Sequence, residues 1–277
     1  MDILSLLTAE HLVFLISMIG AGVVGGLIAG LLGVGGGIVI VPVLYSVLVA
    51  TQLPEAIAIK LSVATSLATI IVTSLSSASS HSKRGAVDYA LLRSWAAPII
   101  VGVVIGTTIA GYVGGEVLTL VFAVVALVVA VNMLLRANNA ALTSDFPNAS
   151  VKFGSGVGIG LISSMMGIGG GTLGVPILTA FGFDIRRAVG TAAAIGFVIA
   201  VPATIGYIIA GWGASNLPPF SIGYVNLLGF IAIVPLTTLF APVGAKIAHA
   251  IPRRVLSYCF AGFLVVTSAR MFYSLLS

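Results

Sequence analysis

Charged residues are rare in this sequence: 7% of its 277 residues are Asp, Glu, Lys or Arg, whereas 59% are hydrophobic. The mean hydropathy is +1.23. Because roughly a quarter of the residues in a soluble domain are charged, a water-soluble globular protein is excluded and an integral membrane protein is predicted. The net charge of +5 comes from scattered basic residues without a polybasic run. That pattern gives no support to a nucleic-acid partner.

Reactive side chains are equally sparse. The single cysteine, Cys259, excludes an intrachain disulfide and a cysteine metal cluster. His11, His81 and His249 are far apart in the sequence and lack the spacing of metal ligands. The acidic residues near the apolar runs fall at the ends of those runs, which leaves no buried carboxylate for a proton relay. The sequence therefore predicts no enzyme, no metal site and no cofactor.

Long apolar runs dominate the chain. About 20 apolar residues cross a hydrocarbon core roughly 30 Å thick, and on that basis eight candidate spans are present. The first and fifth are each followed by a glycine block and a short apolar segment, residues 38–49 and 172–181, too short to cross alone. We predict an all-α polytopic membrane protein with about eight transmembrane helices and Gly-rich helix breaks or re-entrant half helices. The candidate spans are residues 11–32, 56–80, 89–112, 117–136, 152–166, 187–211, 221–247 and 254–275.

The two glycine blocks mark a sequence repeat. Residues 33–37 precede Pro42 and residues 167–171 precede Pro176, both at an offset of 134 residues, and further matches continue into the later spans. A repeat of this length predicts one duplicated unit of four spans. We expect an N-terminal repeat over residues 1–137, a polar linker over 138–151 and a C-terminal repeat over 152–277.

The relative orientation of the repeats depends on the half helices. An even number of spans per unit predicts parallel repeats, unless the half helices change the parity, in which case the repeats are inverted. Counting spans by parity divides ten basic residues equally between the two sides, so the positive-inside rule favours neither face. They are Lys83, Arg84, Arg93, Arg136 and Lys152 on one side, and Arg186, Arg187, Lys246, Arg253 and Arg254 on the other.

The glycine blocks are suited to bind an anion. Glycine lets a ligand approach the backbone without a Cβ in the way, and the half helix that follows each block presents N-terminal amides with about half a positive charge. Two such breaks at matching positions favour a transport site over tight helix packing, the alternative explanation for small residues in membranes. The candidate substrate-binding residues of the breaks are Gly33, Gly35, Gly36, Gly37, Gly167, Gly169, Gly170, Gly171 and Thr172.

Hydroxyl and basic residues follow each half helix. Thr65 and Ser66, with Thr191 at the position equivalent to Thr65, could coordinate substrate oxygens or bond to neighbouring backbone. Lys60 and Arg186 are also equivalent, about one turn earlier. They could attract anions or gate the site, although snorkelling to the interface is the stronger interpretation.

The segments GLLGVGGGIVIVPVL (residues 30–44) and SMMGIGGGTLGVPIL (residues 164–178), each followed by an Ala/Val/Thr stretch, resemble the TauE/SafE sulfite exporter family over about residues 12–275. The resemblance implies a bacterial or archaeal inner-membrane permease that exports sulfite, sulfoacetate or another small organosulfonate. It assigns the family's Gly-rich segments to the two glycine blocks and its Thr/Ser positions to Thr65, Ser66 and Thr191. Ala192 stands where the first repeat has Ser66, so a symmetric pair of serine ligands is not expected.

The predicted function is transport of a small sulfur-containing anion by alternating access around the two breaks. The expected partners are this anion and the lipid bilayer, and a homo-oligomer is left open. Two other functions remain open from the sequence. One is an anion channel built from the same half helices. The other is a membrane accessory or assembly protein in which the glycines only pack.

Overall fold

The computed structural model describes residues 9–32, 36–135, 145–250 and 253–276. Within them the chain is almost wholly helical, which confirms the all-α prediction, and one short β-hairpin of β1 (Ser221–Ile222) and β2 (Val225–Asn226) interrupts the helices. The helices are α1 (Ala9–Leu32), α2 (Gly37–Ala50), α3 (Glu55–Ser82), α4 (Tyr89–Tyr112), α5 (Gly115–Leu135), α6 (Ala149–Met166), α7 (Gly170–Ala180), α8 (Ile185–Ala210), α9 (Leu227–Ala250) and α10 (Arg253–Leu276).

The predicted spans correspond to helices. In the described residues five helices, namely α3, α4, α5, α8 and α9, contain apolar stretches long enough to cross a membrane. The prediction for the seventh span was wrong at its start, because residues 221–226 form the β-hairpin and α9 begins only at Leu227. Gly223 at the turn has a φ of +53°. The Asn226 side chain then caps α9 by accepting the Gly229 N–H (2.8 Å).

The short helices α2 and α7 are re-entrant half helices. Their 14 and 11 residues extend about 21 and 17 Å at 1.5 Å per residue, less than the hydrocarbon core. Phe146, just before α6, packs against Phe181, just after α7, with ring centroids 4.5 Å apart. The α6–α7 pair therefore enters and leaves at the same face of the protein.

Equivalent helices of the two halves run in opposite directions. At one end of α3 and α4 the Ser82 and Tyr89 hydroxyls bond (2.7 Å), and at the other end Lys60 Nζ donates to the Gly111 carbonyl (3.2 Å), so α3 and α4 are antiparallel. Helix α8 runs parallel to α4, because its start bonds to the residue before α4 and its end approaches the end of α4. Helices α3 and α8 are thus antiparallel. Of the two arrangements that the sequence leaves open, these helix directions correspond to inverted repeats, since the re-entrant pairs do not cross.

The halves interlock through their helices. The most extensive packing joins α1 to α9, α4 to α6, α3 to α8 and α5 to α10, each pair taking one helix from either half. Small residues allow these backbones to approach closely. A Cβ on Gly160 of α6 would collide with the Ile99 carbonyl of α4, and one on Gly244 of α9 with the Leu27 carbonyl of α1.

The two faces of the protein differ in charge. We call the side with the β-hairpin and the start of α3 the hairpin face, and the side with the start of α4 the Asp88 face. The parity count had divided ten basic residues between the two sides. The nine of them that the structure describes all lie towards helix ends of the Asp88 face, because the re-entrant pairs return to the side they enter. They are Lys83, Arg84, Arg93, Lys152, Arg186, Arg187, Lys246, Arg253 and Arg254; Arg136 lies outside the described residues.

Candidate functional site

The two Gly-rich breaks meet inside the protein. Gly36, before α2, and Gly167, after α6, both adopt left-handed backbone conformations, with φ of +77° and +70°. A Cβ on Gly37 would collide with the carbonyl oxygen of Gly167, and a Cβ on Gly167 would lie 2.8 Å from Cα of Val63. The contact between the breaks therefore requires glycine on both sides. Gly33 and Gly35 lie outside the described residues.

The meeting point lies at mid-depth. Gly196 of α8 is the equivalent of Ile70 of α3, at the offset of 126 residues that also relates Thr191 to Thr65. A Cβ on Gly196 would lie 3.9 Å from Ile70 Cγ2 and 3.6 Å from the Gly170 nitrogen, and a Cβ on Gly37 would lie 2.8 Å from Ile70 Cδ1. Helices α3 and α8 are related by a pseudo-two-fold axis, and a residue of one helix can contact its own equivalent on the other only close to that axis. Both half helices thus begin near the centre of the bundle.

The half helices begin without side-chain caps. Asp88, Asn148 and Asp184 cap α4, α6 and α8 by accepting backbone N–H groups. The residues before α2 and α7 are Gly36 and Gly169, and neither offers a side chain. The first amides of a helix have no partner within it and carry the positive end of the macrodipole. Among the described residues no charged side chain is buried beside them.

The Ser66 hydroxyl holds the second break in place. Ser66 Oγ donates to the Gly167 carbonyl (2.7 Å), and both atoms are buried. Ala192, at the equivalent position on α8, cannot make this bond. Instead its carbonyl oxygen lies 2.7 Å from the position of a Cβ on Gly170. The expected absence of a symmetric serine pair has this structural counterpart.

The predicted threonines join the two halves. Thr65 Oγ1 accepts the backbone N–H of Asn226 (2.9 Å), and Thr191 Oγ1 accepts that of Asp88 (2.9 Å). Asp88 and Asn226 are themselves equivalent residues, each directly before α4 or α9. We call these two bonds the threonine latches. Sequence reasoning missed Asp88 and Asn226 as partners, although their offset of 138 residues matches that of Gly106 and Gly244.

The two basic candidates lie on opposite faces. Lys60 is on the hairpin face, where Nζ bonds to the Gly111 carbonyl and stands 5.6 Å from the Tyr224 ring centroid. Arg186 is exposed on the Asp88 face. Its neighbour Arg187 forms an ion pair with Asp88 (2.7 Å) at the residue that carries the Thr191 latch. Lys60 and Arg186 therefore lie near opposite faces of the protein.

Thr172 differs from the other predicted hydroxyl residues. It lies in the first turn of α7, is 3% exposed, and its Oγ1 has no hydrogen-bond partner. Ser163, in the last turn of α6, is also buried, with 0% exposure, and its Oγ has no hydrogen-bond partner. Sequence reasoning did not single out Ser163. The signal was a hydroxyl four residues before the glycine block, where the first repeat has Ala29.

Known proteins match the chain over nearly its full length. A model of the sulfite exporter TauE/SafE family matches residues 18–271. A probable membrane transporter protein of Haemophilus influenzae is 32% identical over 259 residues, covering 94% of this chain and 98% of the relative. The probable membrane transporter protein YunE of Bacillus subtilis is 24% identical over 91% of this chain and 95% of its own length. A probable membrane transporter protein of Methanocaldococcus jannaschii is 25% identical, covering 82% of this chain and 84% of its own.

No solved structure matches the chain. The apolar helices and these relatives identify a multi-pass membrane transporter of a small substrate. Since the family model covers most of the sequence, the chain belongs to the TauE/SafE sulfite exporter family.

Proposed function

We propose that the protein exports a small sulfur-containing oxyanion, such as sulfite or an organosulfonate, across the inner membrane by alternating access around the two Gly-rich breaks. The observation that carries this proposal is the contact between the two breaks near the centre of the bundle, where both half helices begin without side-chain caps. Backbone amides there can hold an anion without a buried cationic side chain. A full charge at the centre of a membrane helix costs about 2.5 to 3.5 kcal/mol on insertion scales.

The inverted arrangement supports alternating access. In an inverted repeat the two halves can exchange conformations, and the exchange moves the opening from one face to the other around a fixed central site. The threonine latches join the halves at equivalent positions towards opposite faces. We expect one latch to open in each of the two states. The substrate contacts then come from the amides after Gly36 and Gly169, with the latch threonines acting on the motion.

Counterflow in proteoliposomes tests the proposal. Purified protein is reconstituted into vesicles loaded in turn with sulfite, sulfoacetate, thiosulfate and, as a carboxylate control, acetate. We expect saturable exchange of the sulfur oxyanions and little exchange of acetate. Exchange of acetate alone would contradict the substrate class, and no exchange of any anion by folded protein would favour an accessory or assembly role.

An anion channel built from the same half helices predicts a different result. A channel gives flux that does not saturate and shows no counterflow, because no conformational change separates the two faces. Counterflow with a preloaded anion therefore separates carrier from channel in the same vesicles. Saturation with trans-stimulation supports the carrier.

A further inference from the structure

Two buried hydroxyls beside the second break have no partner. Elsewhere in the described helices, many serine and threonine hydroxyls bond to a carbonyl three or four residues earlier, as Ser164 does to Leu161 (2.9 Å) and Thr179 does to Val175 (2.9 Å). Ser163 Oγ and Thr172 Oγ1 make no such bond, although both are buried. A buried polar group is normally satisfied, and an exception needs an explanation.

Both hydroxyls border the start of α7. The Ser163 carbonyl accepts the N–H of Ile168 in the second break (3.1 Å). Ser163 therefore belongs to the turn that leads from α6 into this break. The equivalent of Ser163 in the first repeat is Ala29, whose Cβ lies 3.5 Å from the position of a Cβ on Gly36. Gly170, the equivalent of Gly36, is the first residue of α7, and Thr172 lies half a turn further along that helix.

The first break lacks both hydroxyls. At the offset of 134 residues, Ala29 stands opposite Ser163 and Ile38 stands opposite Thr172. Ala29 and Ile38 are buried apolar residues, and neither can donate a hydrogen bond. Uncapped amides are present at both breaks, whereas among the described residues the buried hydroxyls without a partner lie beside the second break. The two half sites are chemically unequal.

We propose that Ser163 and Thr172, together with the first backbone amides of α7, form one asymmetric oxyanion subsite on the second break. The inference rests on the proposed function and adds where and by which groups the anion is held. Hydroxyl and amide donors on several sides suit a compact head group with three oxygens, such as sulfite or a sulfonate. A carboxylate has only two oxygens and leaves one donor of the site without an acceptor. Sites built for hydrogen bonding discriminate strongly against ligands that leave a buried donor unpaired.

The test compares Ser163→Ala and Thr172→Val with the control Ser164→Ala. Ser164 is the next residue on the same turn, but its hydroxyl bonds to its own helix. For each variant, the KM for sulfite and for sulfoacetate in counterflow and the thermal stabilisation by sulfite in detergent are measured. We expect each of the two changes to raise the KM about tenfold, as for loss of a hydrogen bond to a charged group, and Ser164→Ala to leave it unchanged.

The stability of the ligand-free protein separates binding from structure. Removing an unpartnered buried hydroxyl should leave the melting temperature unchanged or raise it, whereas a structural hydroxyl would lower it. Active wild-type protein with an unchanged KM in both variants would overturn the subsite alone, as would a lowered melting temperature without a change in KM. Wild-type protein with neither counterflow nor stabilisation by sulfite would overturn the proposed function and the subsite with it.

Discussion

Gly170 and Gly174 lie one turn apart on α7, yet their surroundings differ sharply. A Cβ on Gly170 would lie 2.6 Å from Ile195 Cγ2 and 2.7 Å from the Ala192 carbonyl oxygen, closer than real Cβ atoms approach. A Cβ on Gly174 would meet only the Ala192 Cβ, at 3.6 Å, which is ordinary van der Waals contact. The two positions therefore form a matched pair for testing the break.

We predict that Gly170→Ala abolishes counterflow and lowers the free energy of unfolding by about 1–3 kcal/mol, the usual range for overpacking. Gly174→Ala should retain transport and be neutral or slightly stabilising, because alanine suits a helix better than glycine does. Counterflow and thermal unfolding of both purified variants provide the measurement. Equal activity of the two variants would remove the support for a close approach at Gly170.

At the scale of the residue, the sequence drew attention to the two glycine blocks but not to the partners of the hydroxyl residues. The blocks were visible because they are repeated. The bond from Ser66 to the Gly167 carbonyl joins residues about a hundred positions apart, and no local pattern specifies such a pair. Thr172 was chosen for its place in the block, whereas its distinguishing property, an unmet buried hydroxyl, depends on tertiary packing.

At the scale of the element, the threonine latches join helices from different halves of the chain. We predict that Thr191→Val destabilises the protein by about 1–3 kcal/mol, since the Asp88 N–H at the start of α4 loses its acceptor. Thr65→Val should do the same for Asn226 and α9. Hydrogen exchange of the Asp88 and Asn226 amides, measured by mass spectrometry with thermal unfolding, reports each loss separately.

Thr179→Val is the control for the latches. Its hydroxyl bonds only to carbonyls of its own helix in the described contacts, so the change should leave exchange at Asp88 and Asn226 as in the wild type. Protection at Asp88 that survives Thr191→Val would show that the latch does not hold the start of α4.

The elements themselves were largely predictable from hydropathy and length, and the ends of most helices fall within a few residues of the expected ones. The start of α9 was not predictable in this way, because residues 221–226 continue an apolar run in the sequence. In the structure they form a hairpin with a turn at Gly223, and Asn226 caps the start of α9. Half helices were expected at the right places. Their return to the face they enter was decided by packing against α3 and α8.

For the whole molecule, the inverted arrangement places nine of the eleven described basic residues on the Asp88 face, while Lys60 and Arg270 lie towards the hairpin face. The positive-inside rule assigns lysine and arginine near span ends to the cytoplasm, and we therefore predict that the Asp88 face is cytoplasmic. In a Cys259→Ser background, Ser150→Cys on the Asp88 face and Ser215→Cys on the hairpin face place exposed thiols on opposite sides. A membrane-impermeant maleimide should label the second variant in intact cells and the first only after lysis. The reverse labelling would contradict this orientation.

The sequence alone determined that the chain lies in the membrane and where most of its helices run, and it predicted a duplicated unit with helix breaks at the glycine blocks. Those properties follow from local composition and from internal repetition. Only the tertiary structure decided that the halves are antiparallel, that all described basic helix ends of the parity count share one face, and that the breaks meet at mid-depth. It also determined which hydroxyls form hydrogen bonds with backbone groups and which buried hydroxyls have no hydrogen-bond partner. These outcomes depend on contacts between residues far apart in the chain, and a reversal of helix direction changes them without any change in hydropathy.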